Sequence, residues 1–236
     1  MFNFKNQKLL VIAPHPDDEA IGCGGTIAKV KQEGGKVYVL FLTVGSTKDF
    51  SKIGKSTLFQ REREVKHVAA FLQFDDYHIA FPGDKYHLKL DIIGQHRLMD
   101  VIERESSVSI ENIKPTMVAF PSFASYNQDH RIAAVATHAA LRPAAKDSKH
   151  FVETVLSYES PADEWRIEQS LLTNFFVSLE QQHLDAKLQA LKRYRSQLRA
   201  GSNPRSLDNV KIMAMTRGSQ CGSTYAEAFT AYRISA

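Results

Sequence analysis

The sequence predicts an α/β protein in which helices flank a mostly parallel sheet. Residues 9–13 (LLVIA) and 37–42 (VYVLFL) are unbroken apolar runs of strand length, as in strands buried on both faces. The stretch between them is helix length and stops at Gly34-Gly35, so residues 8–44 read as a β-α-β unit with parallel strands. Helix and strand patterns then keep alternating along 236 residues, a length that hides roughly 70% of the surface the unfolded chain exposes.

Taken in order, residues 20–33 form the first helix. Residues 58–72 form the second, with Leu58, Val65, Val68, Ala69 and Leu72 at helical spacing and charges on the other face. A short strand at 77–81 and a helix at 92–105 follow. Pro115 introduces a buried strand at 116–120 (TMVAF), and a helix over 129–141 stops before Pro143. Residues 151–156 alternate as a strand and 175–179 give the last one, for five or six strands in all. Ser178-Leu-Glu-Gln181 has the form of a capping box and opens a helix to about residue 199, with Leu184, Leu188, Leu191 and Leu198 on one side. Its other side carries Lys187, Lys192, Arg193, Arg195 and Arg199, read as a solvated face or, more sharply, as a surface for an anionic partner. Residues 201–208 (GSNPRSLD) read as a loop. No repeat or low-complexity tract divides the chain, so residues 1–236 are expected to form one domain.

Composition excludes several classes. With 43% hydrophobic and 24% charged residues the chain can build its own core, and any metal it binds would serve chemistry rather than folding. Two cysteines, Cys23 and Cys221, are too few and too far apart for a disulfide scaffold or a cysteine zinc finger, and fit a reducing compartment. The net charge of +4 is spread along the chain and is not a nucleic-acid footprint. No apolar run approaches the ~18 residues of a membrane span. The N-terminal apolar stretch runs into three acids without a small-residue cleavage site, so no signal peptide is expected and the cytoplasm is the expected location.

The chemistry-bearing residues cluster at strand ends. The first strand leads directly into His15-Pro16-Asp17-Asp18-Glu19, and the strand TMVAF leads into Asn127-Gln128-Asp129-His130. Open α/β sheets bind ligands at the carboxyl ends of their strands, and two such loops from adjacent parallel strands would face each other across a crevice. Three carboxylates in one short loop repel each other unless solvated or joined by a cation. His15, Asp18 and His130 supply a two-His, one-carboxylate donor set suited to zinc or another divalent transition metal, which leaves Asp17 as a base toward water. The plain alternative for the acidic turn is helix N-capping. The histidines at 67, 78, 87, 96, 138, 150 and 183 have no comparable setting and read as surface or core residues.

The run Ala13-Pro14-His15-Pro16-Asp17-Asp18-Glu19 with Gly24-Gly25-Thr26 resembles the signature of the LmbE-like, or PIG-L, zinc-dependent N-deacetylases. Further similar segments are Leu42-Thr43-Val44-Gly45, Arg61 and Glu64, Asp129-His130-Arg131 and Tyr225-Ala226-Glu227-Ala228-Phe229. The resemblance implies a three-layer Rossmann-like fold and hydrolysis of the N-acetyl group of a GlcNAc-type sugar or conjugate. It also implies zinc on His15, Asp18 and His130, Asp17 as general base, and Arg61, or alternatively Arg63, as a substrate contact. Tyr225 and Glu227 read as packing residues. Many members carry His where this chain has Asn127, and an amide cannot deliver a proton as an imidazolium does. Asp17 could then act as base and acid in turn, with Tyr126 a weaker candidate acid and, beside Arg61, a candidate substrate contact, Asn127 a hydrogen-bond donor and Asp129 an orienting group. Relatives often form homo-oligomers, and substrate selection is expected in loops 45–57, 82–90 and 159–168.

Two rivals remain. Gly22-Cys-Gly24-Gly25 opens a helix after a strand as in dinucleotide-binding folds, but the G-x-G-x-x-G spacing meets Ile27 and three acids stand where a pyrophosphate would lie. A member that keeps the metal and sugar but has lost turnover at Asn127 is the other.

Overall fold

The computed structural model describes residues 3–48, 54–145, 148–165 and 173–235. In chain order they form β1 (Lys8–Ala13), α1 (Asp18–Gln32), β2 (Lys36–Val44), a small ribbon of β3 (Thr47–Lys48) and β4 (Lys55–Ser56), α2 (Leu58–Phe71) and β5 (Asp76–Pro82). These are followed by α3 (Gln95–Asp100), α4 (Ile110–Ile113), β6 (Met117–Pro121), α5 (Gln128–Ala140), β7 (Thr154–Tyr158), β8 (Phe175–Leu179), α6 (Gln181–Arg193), α7 (Leu207–Gln220) and β9 (Tyr225–Ile234). Of the expected selecting loops, residues 49–53 and 166–168 lie outside the described residues.

Seven strands share one sheet in the order β5-β2-β1-β6-β7-β9-β8, where five or six were expected. All pairings from β5 to β7 are parallel, and β9 alone runs against its neighbours. Alternate residues of β1 enter opposite layers, which is why its sequence is apolar without a break. Leu9 and Val11 pack with residues of α1, α2, α6 and α7, while Leu10 and Ile12 pack with α3 and α5. The result is a three-layer Rossmann-like sandwich. No helix among the described residues is long and apolar enough to cross a membrane.

Several boundaries differ from expectation, each for a local reason. The helix expected over 92–105 is interrupted by Gly94 at φ +85, so α3 starts at Gln95 and continues as a π-helical turn over Val101–Glu105. The capping box falls at Glu180 and His183 rather than at Ser178, which stays in β8. The helix expected to reach about residue 199 stops at Arg193, where Tyr194 turns inward and Ser196 is held by the Glu64 carboxylate at 2.5 and 2.9 Å. Inside the expected loop 201–208, Ser206 caps α7, a helix whose buried face of Val210, Ala214 and Gly218 is too slight to announce itself as a pattern. The β7 strand begins at Thr154 rather than 151, since Phe151 sits under the Arg233 guanidinium, 4.4 Å from its ring centre.

Lys187, expected on a solvated face, is buried. Its Nζ donates to Glu227 Oε1 at 2.6 Å, and the same carboxylate accepts from the backbone N–H groups of Gly25 and Thr26 at 2.9 and 2.7 Å. The glycines of α1 are contact points here: a Cβ at Gly22 would stand 2.3 Å from Tyr158 Cδ2, and one at Gly25 2.4 Å from Leu179 Cδ1. They bring α1 against β7, β8 and β9, and that role accounts for the Gly22-Cys-Gly24-Gly25 run that suggested a dinucleotide loop.

Removing one partner of a buried ion pair strands the other charge away from water. Glu227→Ala should therefore destabilise the protein by about 3–5 kcal/mol, a fall in Tm of roughly 6–20 °C for a chain of this size. Thermal unfolding followed by circular dichroism checks this; a shift within error of zero would mean that the Lys187–Glu227 contact carries no stability.

Candidate active site

The first half of the site follows from how β1 ends. After Ala13 the chain passes through Pro14-His15-Pro16 and enters α1, with Asp17 at the N-cap position but at φ +106 and with no side-chain cap hydrogen bond. An aspartate with positive φ is a strained residue, and such strain collects at functional sites. The capping explanation of the acidic turn therefore fails for Asp17, whose carboxylate makes no cap hydrogen bond and meets Arg205 Nη1 at 3.5 Å instead. Asp18 Oδ2 instead accepts from the His15 backbone N–H at 2.9 Å and closes the turn.

The second half comes from β6, which lies directly beside β1 in parallel, as the two-loop expectation required. Asn127 caps α5 by accepting from the Asp129 N–H at 2.9 Å, and Asp129 and His130 occupy the first turn. Helices α1 and α5 start on opposite faces of the sheet at this point, where the strand order reverses.

The two halves meet at one oxygen. Asp18 Oδ2 lies 3.3 Å from His15 Nδ1 and 3.2 Å from His130 Nε2. His15 Nε2 faces Asp129 Oδ2 at 2.9 Å, and Asp129 Oδ1 accepts from the Leu90 N–H at 3.0 Å. Asp129 thus fixes the His15 ring so that Nδ1 points at Asp18, the arrangement by which carboxylates orient metal-binding imidazoles. The three donor atoms of His15, Asp18 and His130 lie within 4.8 Å of one another, and all three residues are buried. Ligands 2.0–2.1 Å from a tetrahedral ion stand about 3.3 Å apart, and the two imidazole–carboxylate separations agree with that spacing.

Burial sets the electrostatics. For His15 burial lowers the pKa, but the Asp129 and Asp18 carboxylates raise it more, to about 9. Burial acts against Asp18 ionisation, yet His130 and His15 hold its pKa well below the usual carboxylate range. Burial pushes Asp17 up to about 6 against the pull of Arg205. Glu19, wholly buried, is pushed to about 8, its Oε1 accepting from Tyr194 Oη at 2.6 Å and its Oε2 from the Asp17 N–H at 3.2 Å. The raised His15 pKa reflects the negative charge that Asp129 and Asp18 place around it; a divalent cation on the same donors would offset that charge, and the donor set fits one.

Other expected residues fall differently. Arg61 is 2% exposed, with its guanidinium directed to Pro16 O and Gly45 O at 3.4 Å and to His87 Nε2 at 2.7 Å, so it faces protein where the resemblance implies substrate. Glu64 bonds Ser196 rather than Arg61, and Arg63 is exposed on the outer face of α2. Tyr126 is exposed and Asn127 half-buried at the start of α5. Tyr225 donates to Gln181 Oε1 at 3.0 Å, a packing role like that of Glu227.

Sequence reasoning missed two residues. His87 was grouped with the histidines that have no setting, yet it is buried edge-on against His15, with ring centres 5.5 Å apart. Because an arginine can only donate, His87 accepts at Nε2 and donates from Nδ1 to Thr43 Oγ1 at 3.2 Å, and that hydroxyl donates to Pro14 O at 3.2 Å. Burial and the Arg61 charge lower its pKa to about 3, so the ring stays neutral. Arg205 is the other, its Nη1 3.5 Å from Asp17 Oδ2. Neither had a local signal: both lie in irregular segments, remote in sequence from the strand-end motifs.

Residues 10–141 match the family described as PIG-L: GlcNAc-PI de-N-acetylase. The uncharacterized deacetylase YaiS of Escherichia coli K12 is 27% identical over 194 residues, 81% of this chain and 92% of YaiS. Among solved structures, the conserved protein TT1542 from Thermus thermophilus superposes with a TM-score of 0.72 at 27% identity, over 98% of this chain and 96% of that one. The N,N'-diacetylchitobiose deacetylase of Pyrococcus horikoshii shares the fold, with a TM-score of 0.69 at 20% identity over 95% and 83% of the two chains. Matched over more than half its length, the chain belongs to the PIG-L family and is a hydrolase of the N-deacetylase type, acting on amides.

Proposed function

We propose that this protein is a zinc-dependent deacetylase that removes the acetyl group from an N-acetylglucosamine-type amino sugar or its conjugate. The observation that carries the reading is the convergence of His15 Nδ1 and His130 Nε2 on Asp18 Oδ2 with the Asp17 carboxylate next in sequence and uncommitted to capping. The de-N-acetylase description of the family and the diacetylchitobiose deacetylase among its structural neighbours support the sugar. Zinc is favoured by two imidazoles and one carboxylate, a set that other divalent transition metals also accept. The cytoplasm is the compartment we infer, supported by two cysteines, Cys23 and Cys221, that both stand as free thiols.

A divalent cation held by His15, Asp18 and His130 would supply Lewis acidity at the acetyl carbonyl and lower the pKa of the attacking water. Asp17 takes the proton of that water as its oxygen bonds to the carbonyl carbon. Asp17 holds the proton until the C–N bond breaks and then returns it to the nitrogen, so that acetate and a free amine leave. This double duty follows from Asn127, whose amide can donate a hydrogen bond to the developing oxyanion but has no acidic proton to give. The Asn127 oxygen is engaged by the Asp129 N–H, which fixes the amide plane. Asp129 keeps His15 Nδ1 turned inward, and Arg61 with His87 braces the Pro16 carbonyl beneath Asp17. To Tyr126, exposed just before Asn127, we assign a contact to the sugar.

Acetate release across N-acetylated sugars, nucleotide sugars and sugar lipids tests the reading, with N,N'-diacetylchitobiose among the probes. Chelation should abolish release and added zinc restore it. Asp17→Asn should retain metal and lose about 10²–10⁴-fold in kcat; full activity in that variant would remove Asp17 from the mechanism.

Metal affinity should depend on pH through His15. Its pKa of about 9 stands above the usual 6.5, so a cation must displace a proton from it throughout that interval. Apparent affinity should rise by about tenfold per pH unit up to pH ~9 and then level for this group. Without metal the same raised pKa contributes stability that is complete below 6.5 and lost as pH rises through about 9. Chelator competition at several pH values checks the first statement, and an affinity independent of pH would contradict it.

A further inference from the structure

Among the described residues, a single side chain reaches the carboxylate of Asp17. Arg205 Nη1 stands 3.5 Å from Asp17 Oδ2, and the Arg205 side chain is 26% exposed where that of Asp17 is 5% exposed. The other nearby guanidinium, that of Arg61, is directed to Pro16 O, Gly45 O and His87 instead. Arg205 is presented by a braced turn. Asn203 Oδ1 accepts from the Arg205 N–H at 2.9 Å, and Asn203 O accepts from the Ser206 N–H at 2.9 Å and from Asn209 Nδ2 at 2.8 Å. Ser206 then caps α7. An Asn-Pro-Arg-Ser turn fastened at this many points delivers an arginine to a fixed place, and a buried aspartate with a strained backbone is what it meets there.

We infer that Arg205 is a positioning residue for the reaction, holding the Asp17 carboxylate in the orientation from which it takes the proton of the attacking water. The inference rests on the proposed role of Asp17. A carboxylate turns about two side-chain bonds, and a displacement of about 1 Å in a reacting group costs on the order of 10²-fold in rate. With an imidazole acid absent at Asn127, the same carboxylate both takes and returns the proton, so its orientation governs both transfers. Arginine suits the task because it is always charged and its planar fork fixes direction, which a lysine ammonium does not.

The experiment compares zinc-loaded wild type, Arg205→Ala, Arg205→Gln and Arg205→Lys on N,N'-diacetylchitobiose and the sugar panel, with zinc content and Tm recorded for each. The expected result is a loss of about 30–100-fold in kcat for Ala and Gln, KM within about threefold, unchanged zinc content and partial retention by Lys. Guanidinium ion added to Arg205→Ala should restore part of kcat without moving Tm, which a purely structural role would not allow, and should do nothing for Asp17→Asn. Unchanged kcat, or a loss accompanied by zinc loss and no rescue, overturns the inference; if Ala does not fold, Gln carries the same comparison. Should wild type release acetate from no substrate, the proposed function fails by itself, and a double-mutant cycle of Arg205→Ala with Asp17→Asn in thermal unfolding still decides the contact. Non-additive Tm shifts support it and additive ones overturn it.

Discussion

Asp18 Oδ2 accepts from the backbone N–H of His15 and lies within 3.3 Å of imidazole nitrogens from two strand ends, and the arrangement around it depends on keeping that crowding stable. Asp17, Asp18, Glu19 and Asp129 are all nearly inaccessible to water, with Arg61 and Arg205 the arginines set among them. Each buried ion costs several kcal/mol unless it is paired and hydrogen-bonded. The protein meets that cost by sharing: one carboxylate between two imidazoles, one imidazole between two carboxylates, one guanidinium against each side of the Asp17 loop. A cation among the donors would satisfy the same constraint directly, which is why an acidic cluster this dry points to metal chemistry and not to a solvated cap.

Support for the cluster comes from distant parts of the chain. Tyr194, at the end of α6, reaches Glu19, and Ser196 two residues on ties that end to Glu64 of α2. Glu227 on β9 secures α1 through Gly25 and Thr26, while the absence of side chains at Gly22 and Gly25 allows α1 to approach Tyr158 and Leu179. Tyr158 in turn donates to Ile12 O at 2.9 Å, one residue before β1 ends. The helix carrying Asp18 is therefore fixed at its start by the site and along its length by the sheet. The strain of Asp17 at φ +106 is sustained by this surrounding packing.

That His15, Asp18 and His130 come together was legible because they lie in two short runs, each directly after an apolar strand. Strand neighbourhood then did the rest, since β1 and β6 pair in parallel. His87 and Arg205 were illegible for the opposite reason: they sit in turns with no periodic pattern, and only the tertiary structure brings them to His15 and Asp17. Lys187 shows a different limit. Its charge suggests the side away from the leucines, yet it stands three residues after Leu184 and four before Leu191 and so lies on their face, where β9 sets Glu227 against it. Residues 226–230 of β9 are buried in succession, and Glu227 breaks the apolar run by which such a strand is read, so one ion pair hid both a strand and the burial of a lysine on α6.

The three consecutive acids stand in three different settings, to which we assign three tasks, and the backbone separates them. Asp18, held between His15 and His130, has its pKa driven well down and remains an anionic donor. Glu19 is fully buried, fixed by Tyr194 and the Asp17 N–H, and with its pKa near 8 it serves as a hydrogen-bonded strut. Among the described side chains the Asp17 carboxylate has only the Arg205 contact, which leaves it free to accept and return a proton where Glu19 is tied to Tyr194 and the Asp17 N–H; burial pushes its pKa up to about 6. The left-handed backbone at Asp17 produces this division: with ordinary φ its side chain would fold over the first turn of α1 and cap it, as aspartates at that position commonly do. A strained residue at the strand-to-helix junction converts what would have been a helix cap into the group we assign to proton transfer.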